Sequence, residues 1–295
     1  MTAAPIRASA PVRFARILVA TDFSTCSEHA LTYAVAFAIG HQSHLYVLHA
    51  LHADDPVRES DQGPGIIDSG RWSAEKQLRK LANSKLLAAI PHEQLLKRGR
   101  LWEVVDRFVR SQDIDLIVIG SRGRRGLEKV LIGSHSEDIC RHAPCPVLVV
   151  GPHAKAVPAD FLLRRILFAT AYHSGSLHAL AYAHSLAERY EAELILFHAL
   201  RADEFSSASA DSLLAQTREQ LRHLAPEPAR LPIRAMAQTC HSAAAAILNV
   251  AQEQAANLIV LGAQARSIAL ATHMPWSTAH RVICDASCPV LTVAG

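Results

Sequence analysis

The 295-residue sequence lacks the features that mark membrane proteins and nucleic-acid-binding proteins. No apolar run approaches the roughly 20 residues that a membrane-spanning helix requires. Lysine and arginine form no dense cluster, and the formal net charge is only +3. A basic field strong enough to hold nucleic acid is therefore not expected. We expect neither a membrane nor a nucleic acid among the partners of this protein.

The sequence also lacks the common signatures of catalytic and metal centres. Its 17 histidines form no H-E-x-x-H pattern, its six cysteines form no C-x-x-C pair, and no G-x-S-x-G elbow is present. We expect no metal-binding or catalytic residues, and at most slow chemistry. Cysteines without a secretory signal predict reduced thiols and a cytoplasmic location. Residues 1–15 carry no acidic side chain and no signal-like hydrophobic region, so we predict a flexible tail there.

The most extensive pattern in the sequence is an internal repeat. The segment Arg16–Thr21 recurs as Arg165–Thr170, and Leu116–Gly120 recurs as Leu258–Gly262. The separation between equivalent residues is 149 for Arg16 and Arg165 but 142 for Leu116 and Leu258, so the first copy has the longer middle insertion. A duplicated domain explains these matches far better than chance. Two further matches between the halves are Cys145–Leu148 with Cys288–Leu291, and His49 with His198. For the two histidines we predict a shared packing or capping role.

Apolar runs of strand length alternate with segments of helical length in both halves. This alternation predicts parallel sheets that helices cover on both faces. The predicted domains are residues 16–152 and 164–295, joined by a linker at 153–163. In the first domain, proline and glycine mark an irregular insertion at about 52–70, and Ser24 is predicted to cap a helix. The other predicted elements of this domain are strands at about 16–21, 44–51, 92–97 and 115–119, and helices at about 25–39, 72–89 and 101–111.

A glycine-bearing loop follows one of these buried strands. Gly120-Ser121-Arg122-Gly123 comes directly after the strand, and Gly133-Ser134 opens a predicted helix nine residues later. A strand, a glycine loop and a helix start together form a natural anion site. Glycines after strands are common, so a purely structural loop is the alternative. The spacing fits neither a Walker A loop nor a dinucleotide fingerprint. The basic residues of the loop are Arg122, Arg124, Arg125 and Lys129.

The loop resembles the G-2x-G-9x-G-[S/T] nucleotide motif of the universal stress protein family. Every defined position of that motif is matched, by Gly120, Gly123, Gly133 and Ser134. The segments 16–24 and 145–150 are similar to the family's opening and closing strands. The resemblance implies a tandem protein of two α/β domains with the adenine-nucleotide α-hydrolase-like fold. Each domain is then a five-stranded parallel sheet of order 3-2-1-4-5 with helices on both faces.

That strand order brings the ends of the first and fourth strands together, at the switch point where open α/β sheets bind ligands. The resemblance implies ATP there, with Mg²⁺. Asp22 and the backbone around Ala20 and Ala50 would hold the adenosine, and the glycine loop with Ser134 would hold the phosphates. For Asp22, a role as a cap of the following turn is the alternative. The residues predicted to contact nucleotide are Ala20, Thr21, Asp22, Ala50, Ile119, Gly120, Arg122, Gly123, Gly133, Ser134, Ser136 and His135, which stands where the family often has a small apolar residue.

The second half departs from the nucleotide motif at each of its informative positions. An indole at a glycine position should keep a phosphate away from the backbone. We therefore predict that this half does not bind ATP in the manner of the family. The departures are Ala171 in place of Asp22, Ala265 in place of Gly123, and Trp276-Ser277 in place of Gly133-Ser134.

The closing strands give an expectation about assembly. In the family these strands commonly pair edge to edge across a dimer. Residues 145–150 and 288–293 are expected to pair in this way inside one chain, which would form an intramolecular pseudo-dimer. Association of two chains into a homodimer is a further alternative. We expect an ATP-binding stress-response regulator whose nucleotide state alters its contacts with unidentified protein partners.

Two other classes of function stay open at this point. One is a nucleotide-free scaffold or small-ligand-binding stress protein, in which the first-half motif is a relic. The other is a slow ATPase or a nucleotidyl transferase of the wider fold. Between Gly120 and Ser136 the only carboxylate is Glu128, and the sequence shows no evident catalytic aspartate or glutamine. Binding is therefore favoured over rapid turnover.

Overall fold

A computed structural model of the chain describes residues 12–51, 58–59, 66–67, 69–121, 133–158, 160–172, 174–203, 210–225, 231–263 and 275–294. The chain divides into two compact units. The first unit contains residues 13–150 and 156–161, and the second contains residues 151–155 and those from 162 onward. In the described part of the chain, no helix has the length and apolar character needed to cross a membrane.

The first unit is a parallel sheet with helices in its crossover connections. The strands run in the order β5-β2-β1-β6-β7, which is the predicted order 3-2-1-4-5. The prediction of fold class is thus confirmed for this unit. Its elements are β1 (Arg16–Ala20), α1 (Thr25–His41), β2 (His44–Leu51), β3 (Arg58–Glu59), β4 (Ile66–Ile67), α2 (Ser69–Ala82), β5 (His92–Arg98), α3 (Leu101–Gln112), β6 (Leu116–Gly120), α4 (Ser134–His142) and β7 (Val147–Val150).

The second unit repeats this topology. Its strands are parallel and run in the order β10-β9-β8-β11-β12, which is again 3-2-1-4-5 within the unit. The repeat seen in the sequence therefore corresponds to a repeat in structure. Its elements are β8 (Arg165–Ala169), α5 (Ser174–Tyr190), β9 (Glu193–Arg201), α6 (Ala210–His223), β10 (Ile233–Cys240), α7 (Ala243–Glu253), β11 (Leu258–Ala263), α8 (Pro275–Asp285) and β12 (Val290–Ala294).

The central strands are buried along almost their whole length. Residues 17–19 of β1 and 116–118 of β6 are completely inaccessible to solvent. Strands of a parallel sheet are covered on both faces, so their sequences are continuous apolar runs rather than alternating patterns. This burial holds the two strand ends that form the candidate site on a rigid support.

Two elements of the first unit differ from the sequence prediction. The predicted helix at 72–89 begins earlier and ends at Ala82. After it, the backbone N–H groups of Leu87 and Ile90 donate to carbonyls three residues back, which is the pattern of tight turns rather than of an α-helix. The insertion predicted as irregular contains a short antiparallel pair, β3 with β4, among its described residues.

The segment between the repeats contributes to both units. The Val157 N–H donates to Thr32 Oγ1 over 3.1 Å, and the Phe161 ring packs edge-on against Tyr33 with centroids 5.8 Å apart. These contacts place 156–161 in the first unit. In the second unit, a Cβ added to Gly151 would lie 2.5 Å from the carbonyl oxygen of Ile283, so this close approach requires glycine.

Candidate functional site

The candidate site lies at the carboxyl ends of β1 and β6. These strands are neighbours, with Ala20 beside Ile119 in the parallel register. The chain leaves β1 toward β2 on one side and leaves β6 toward β7 on the other, so this is the topological switch point of the sheet. The structure brings these predicted residues to the same edge: Ala20, Thr21, Asp22, Ala50, Ile119 and Gly120.

A tight turn after β1 positions Asp22. The buried Thr21 hydroxyl accepts a hydrogen bond from the Phe23 N–H at 3.0 Å, and Phe23 has a left-handed φ of 60°. The Asp22 Oδ1 accepts from the Ser24 N–H at 3.1 Å and from the Ser24 hydroxyl at 2.6 Å. Ser24 in turn accepts from the Ser27 N–H at 3.3 Å and caps α1, as predicted. The Asp22 carboxylate therefore stabilises the turn, which is the alternative role that the sequence allowed.

His49 supports the same turn from β2. Its Nδ1 lies 2.7 Å from the Thr21 carbonyl oxygen, which can only accept, so Nδ1 carries the proton. Its ring lies against Phe23, with centroids 4.6 Å apart. His198 makes the same bond to the Thr170 carbonyl oxygen at 2.7 Å in the second unit. The predicted shared packing and capping role of the two histidines is confirmed.

Gly120 allows α1 to approach the end of β6. A Cβ at this position would lie 2.9 Å from the carbonyl carbon of Cys26 and 3.0 Å from the Ser27 nitrogen. These are backbone atoms in the first turn of α1, which cannot rotate away as a side chain can. The glycine is therefore required here by packing, irrespective of any ligand.

The start of α4 is the second part of the site. Gly133 is the N-cap residue, and its N–H donates to the Ser121 carbonyl oxygen at 2.9 Å. The Ser136 hydroxyl donates to the Gly120 carbonyl oxygen at 2.9 Å. These two bonds fasten the helix start to the end of β6. They also commit the hydroxyl proton of Ser136, so this side chain has no proton left to donate to a phosphate.

Gly133 differs from Gly120 in its surroundings. Among the residues that the structure describes, a Cβ added to Gly133 would contact only the Ser121 carbonyl oxygen, at 3.7 Å, which is ordinary van der Waals distance. With no side chain, Gly133 cannot cap the helix, and the exposed Ser134 and the half-buried His135 follow it. Backbone N–H groups in the first turn of a helix have no acceptor within the helix. Such N–H groups are the donors that an anion can use at a helix start. Arg122 and Gly123 lie outside the described residues.

Sequence reasoning overlooked Ser121. This residue is 1% exposed, its N–H donates to the Val150 carbonyl oxygen at 2.9 Å, and its carbonyl accepts from Gly133. Its hydroxyl has no hydrogen-bond partner among the residues that the structure describes. One signal was available, because the repeat has Ala263 at the equivalent position.

The corresponding turn of the second unit keeps its shape but has no carboxylate. The Tyr172 N–H donates to Thr170 Oγ1 at 3.0 Å, and Tyr172 has a φ of 57°. Its ring lies 4.8 Å from that of His198. Burial raises the pKa of Tyr172 to about 12, so the phenol stays protonated. Ala171 is exposed where the first unit has Asp22. The turn is therefore a property of the fold, whereas the carboxylate is particular to the first unit.

The described residues of the site offer groups that suit an anion. Among the residues that the structure describes, no group of three or more histidine, cysteine, aspartate or glutamate side chains could hold a metal. A phosphorylated ligand could use the start of α4, while the Asp22 carboxylate offers an acceptor to hydroxyl or amine groups.

Comparison with known proteins identifies the repeated unit. The sequence model of the universal stress protein family matches residues 13–151 and 163–294. A universal stress protein from Thermus aquaticus is 33% identical over 138 residues, which cover 46% of this chain and 98% of that protein. Universal stress protein YxiE from Bacillus subtilis is 32% identical over 148 residues, which cover 46% of this chain and 99% of that protein.

The whole chain also resembles a solved structure. A universal stress protein from Archaeoglobus fulgidus DSM 4304 superposes with a TM-score of 0.69 at 20% identity. The superposition covers 95% of this chain and 98% of that chain. At this level of identity the likeness shows a shared fold and nothing finer.

Proposed function

Because the chain belongs to the universal stress protein family, with one family domain in each half, we propose that it binds ATP at the switch point of its first unit. One observation carries this proposal above all. The start of α4 is fastened against the end of β6 by the bond from Gly133 to Ser121 and the bond from Ser136 to Gly120. A helix start at a switch point attracts a phosphate through its backbone N–H groups and its dipole.

The residues around this helix start fit a nucleotide. Glycine at position 133 has no Cβ to keep a phosphate from the main chain, and the exposed Ser134 has a hydroxyl to donate. Asp22 stands at the end of the neighbouring strand, where its carboxylate can accept from a ribose hydroxyl or a base amine. Mg²⁺ would enter with the phosphates, since it keeps several waters and needs few protein ligands.

The second unit supports an asymmetric function. It retains the turn and the histidine of the first unit, but Ala171 replaces Asp22 and Trp276 replaces Gly133. A bulky indole at the sequence position equivalent to Gly133 would hinder the close approach of a phosphate to the main chain. We propose that only the first unit binds nucleotide and that the second has a structural or partner-binding role.

Binding is proposed in preference to rapid hydrolysis. Hydrolysis needs a residue that orients the attacking water, usually with a carboxylate or an amide. Among the described residues, one oxygen of the Asp22 carboxylate accepts from Ser24, and the Glu137 carboxylate at the first turn of α4 is paired with Arg141 at 2.7 Å. Glu128 lies outside the described residues. Nucleotide occupancy would then act as a signal that changes contacts with a protein partner.

Calorimetric titration of the full-length chain with ATP and Mg²⁺ tests the proposal. We expect one site, which Gly133→Trp abolishes by copying the residue of the second half. Arg100→Trp is the matched control, since Arg100 is the N-cap of α3 and also makes no side-chain capping bond. Loss of binding in both variants, or in neither, would contradict the assignment. No binding by the unmodified chain would favour the nucleotide-free scaffold.

A further inference from the structure

The hydroxyl of Ser121 is a buried polar group that has no hydrogen-bond partner among the described residues. Both backbone groups of this residue are used, one by Val150 and the other by Gly133. Only the Oγ atom, on a residue that is 1% exposed, finds no partner within the described ranges. A buried hydroxyl without a hydrogen bond destabilises the folded state, so such groups are uncommon unless they have another use.

The fold itself does not need this hydroxyl. Gly120 pairs with Val150 on the last strand of the first unit, and Gly262 pairs with Val293 in the same way in the second. The residue after Gly262 is Ala263, so the second unit forms the same sheet with a methyl group at this position. The serine therefore occurs in the half that has the nucleotide motif and is absent from the half that lacks it.

The position of Ser121 directs its side chain toward the start of α4. A Cβ at Gly120 would face Cys26 of α1. Ser121 follows the last residue of β6, and its N–H continues the parallel ladder to the Val150 carbonyl oxygen, so the alternation of strand side chains between the two faces extends to it. The side chain of Ser121 therefore belongs on the face opposite α1. Right-handed crossovers place the helix between β6 and β7 on that same face. The Gly133 N–H, 2.9 Å from the Ser121 carbonyl oxygen, marks the point where this helix begins.

We infer that the Ser121 hydroxyl is a further binding residue, which donates a hydrogen bond to a phosphate oxygen of the nucleotide at the start of α4. This inference rests on the proposed function and adds a side chain to a site otherwise made of main chain, Ser134 and Asp22. A phosphate oxygen is an ionised acceptor, and bonds to ionised acceptors are shorter and stronger than neutral ones. Because the residue is almost fully buried, the bond would form largely away from competing water.

The substitution Ser121→Ala separates this role from a structural one. Without nucleotide, the variant should be at least as stable as the unmodified chain, because a methyl-sized side chain replaces an unsatisfied hydroxyl. Its affinity for ATP should fall by about 10- to 100-fold, the range expected for a hydrogen bond to a charged group. Its affinity for adenosine should not change, because adenosine has no phosphate.

Ser84 provides the matched control. Its Oγ is also buried without a hydrogen-bond partner among the described residues, but it lies in the turn after α2. Ser84→Ala should leave ATP affinity unchanged. If the unmodified chain does not bind ATP, the proposed function fails. If it does bind and Ser121→Ala binds equally well, or loses adenosine and ATP alike, only the role of Ser121 is refuted. A clear loss of stability in Ser121→Ala without nucleotide would also refute it, because the hydroxyl would then have a partner in the fold.

Discussion

Replacing Gly120 with alanine should destabilise the first unit, although the change adds a single methyl group. That methyl would lie 2.9 Å from the carbonyl carbon of Cys26, and 3.0 Å from the Cys26 oxygen and the Ser27 nitrogen. All three atoms belong to the backbone of the first turn of α1. The Ser24 cap and the burial of the helix hold this turn in place, so α1 can relieve the contact only by moving as a body.

The size of the effect follows from two opposing contributions. Forcing a methyl group into a packed interior typically costs about 1–3 kcal/mol, and contacts with backbone belong to the upper part of that range. Replacing glycine by alanine recovers about 0.4–1 kcal/mol, because the unfolded chain loses conformational freedom. We expect a net loss of about 1–2 kcal/mol. For a protein of this size that corresponds to a fall in Tm of about 2–8 °C.

Thermal unfolding of Gly120→Ala and Gly133→Ala, compared with the unmodified chain, measures this effect. Among the described residues, a Cβ at Gly133 would meet only the Ser121 oxygen, at 3.7 Å, and the φ of −63° at this position suits alanine. The second variant should therefore lose less than about 1 kcal/mol, the cost of a poorer N-cap residue. If Gly120→Ala were as stable as the unmodified chain, or no less stable than Gly133→Ala, the packing argument would be refuted.

Three further outcomes are expected. His49→Ala and His198→Ala should each lower the free energy of unfolding, measured in urea, by about 1–3 kcal/mol, because each leaves a threonine carbonyl oxygen without its hydrogen-bond donor. Unequal losses in the two variants would argue against equivalent turns. Burial lowers the pKa of His184 below 6.5, so the folded state binds fewer protons than the unfolded state and stability falls as the pH drops below that value. His184→Gln should therefore lose less free energy of unfolding between about pH 7 and pH 5 than the unmodified chain, and an unchanged pH profile would contradict this. Burial raises the pKa of Cys145 and of Cys288 to about 12, so both thiols should resist a thiol reagent at about pH 8 until the protein unfolds. Serine variants of these two residues should leave the number of rapidly reacting thiols unchanged.

Several local features could be predicted from the sequence because their causes are local or repeated. Apolar runs such as Leu116–Ile119 form buried strands, because a strand of a parallel sheet is covered on both faces and every one of its side chains is then buried. Ser24 caps α1 by accepting a hydrogen bond from the N–H of Ser27, which lies only three residues further along the chain. His49 and His198 share a role because a duplicated sequence folds in the same way twice. The strand order came from the family resemblance, because periodicity cannot order strands.

Other features depend on contacts between residues far apart in the chain. The end of α2 at Ala82 was not evident from a sequence that continues with good helix formers. The two glycines of the motif also appear alike in the sequence. Only the structure shows that a Cβ at Gly120 would meet the backbone of α1, whereas among the described residues a Cβ at Gly133 would meet only the Ser121 oxygen, at 3.7 Å.

The duplication, the parallel α/β class and the difference between the two copies of the glycine motif can all be read from the amino-acid sequence. Its apolar runs, glycine spacing and repeated segments carry that information directly. Only the folded arrangement shows that Gly120 packs against the backbone of α1. It also shows that the Ser121 hydroxyl has no hydrogen-bond partner among the described residues, because hydrogen bonding depends on which groups distant in sequence come within about 3 Å of one another. No local pattern of residues records those distances.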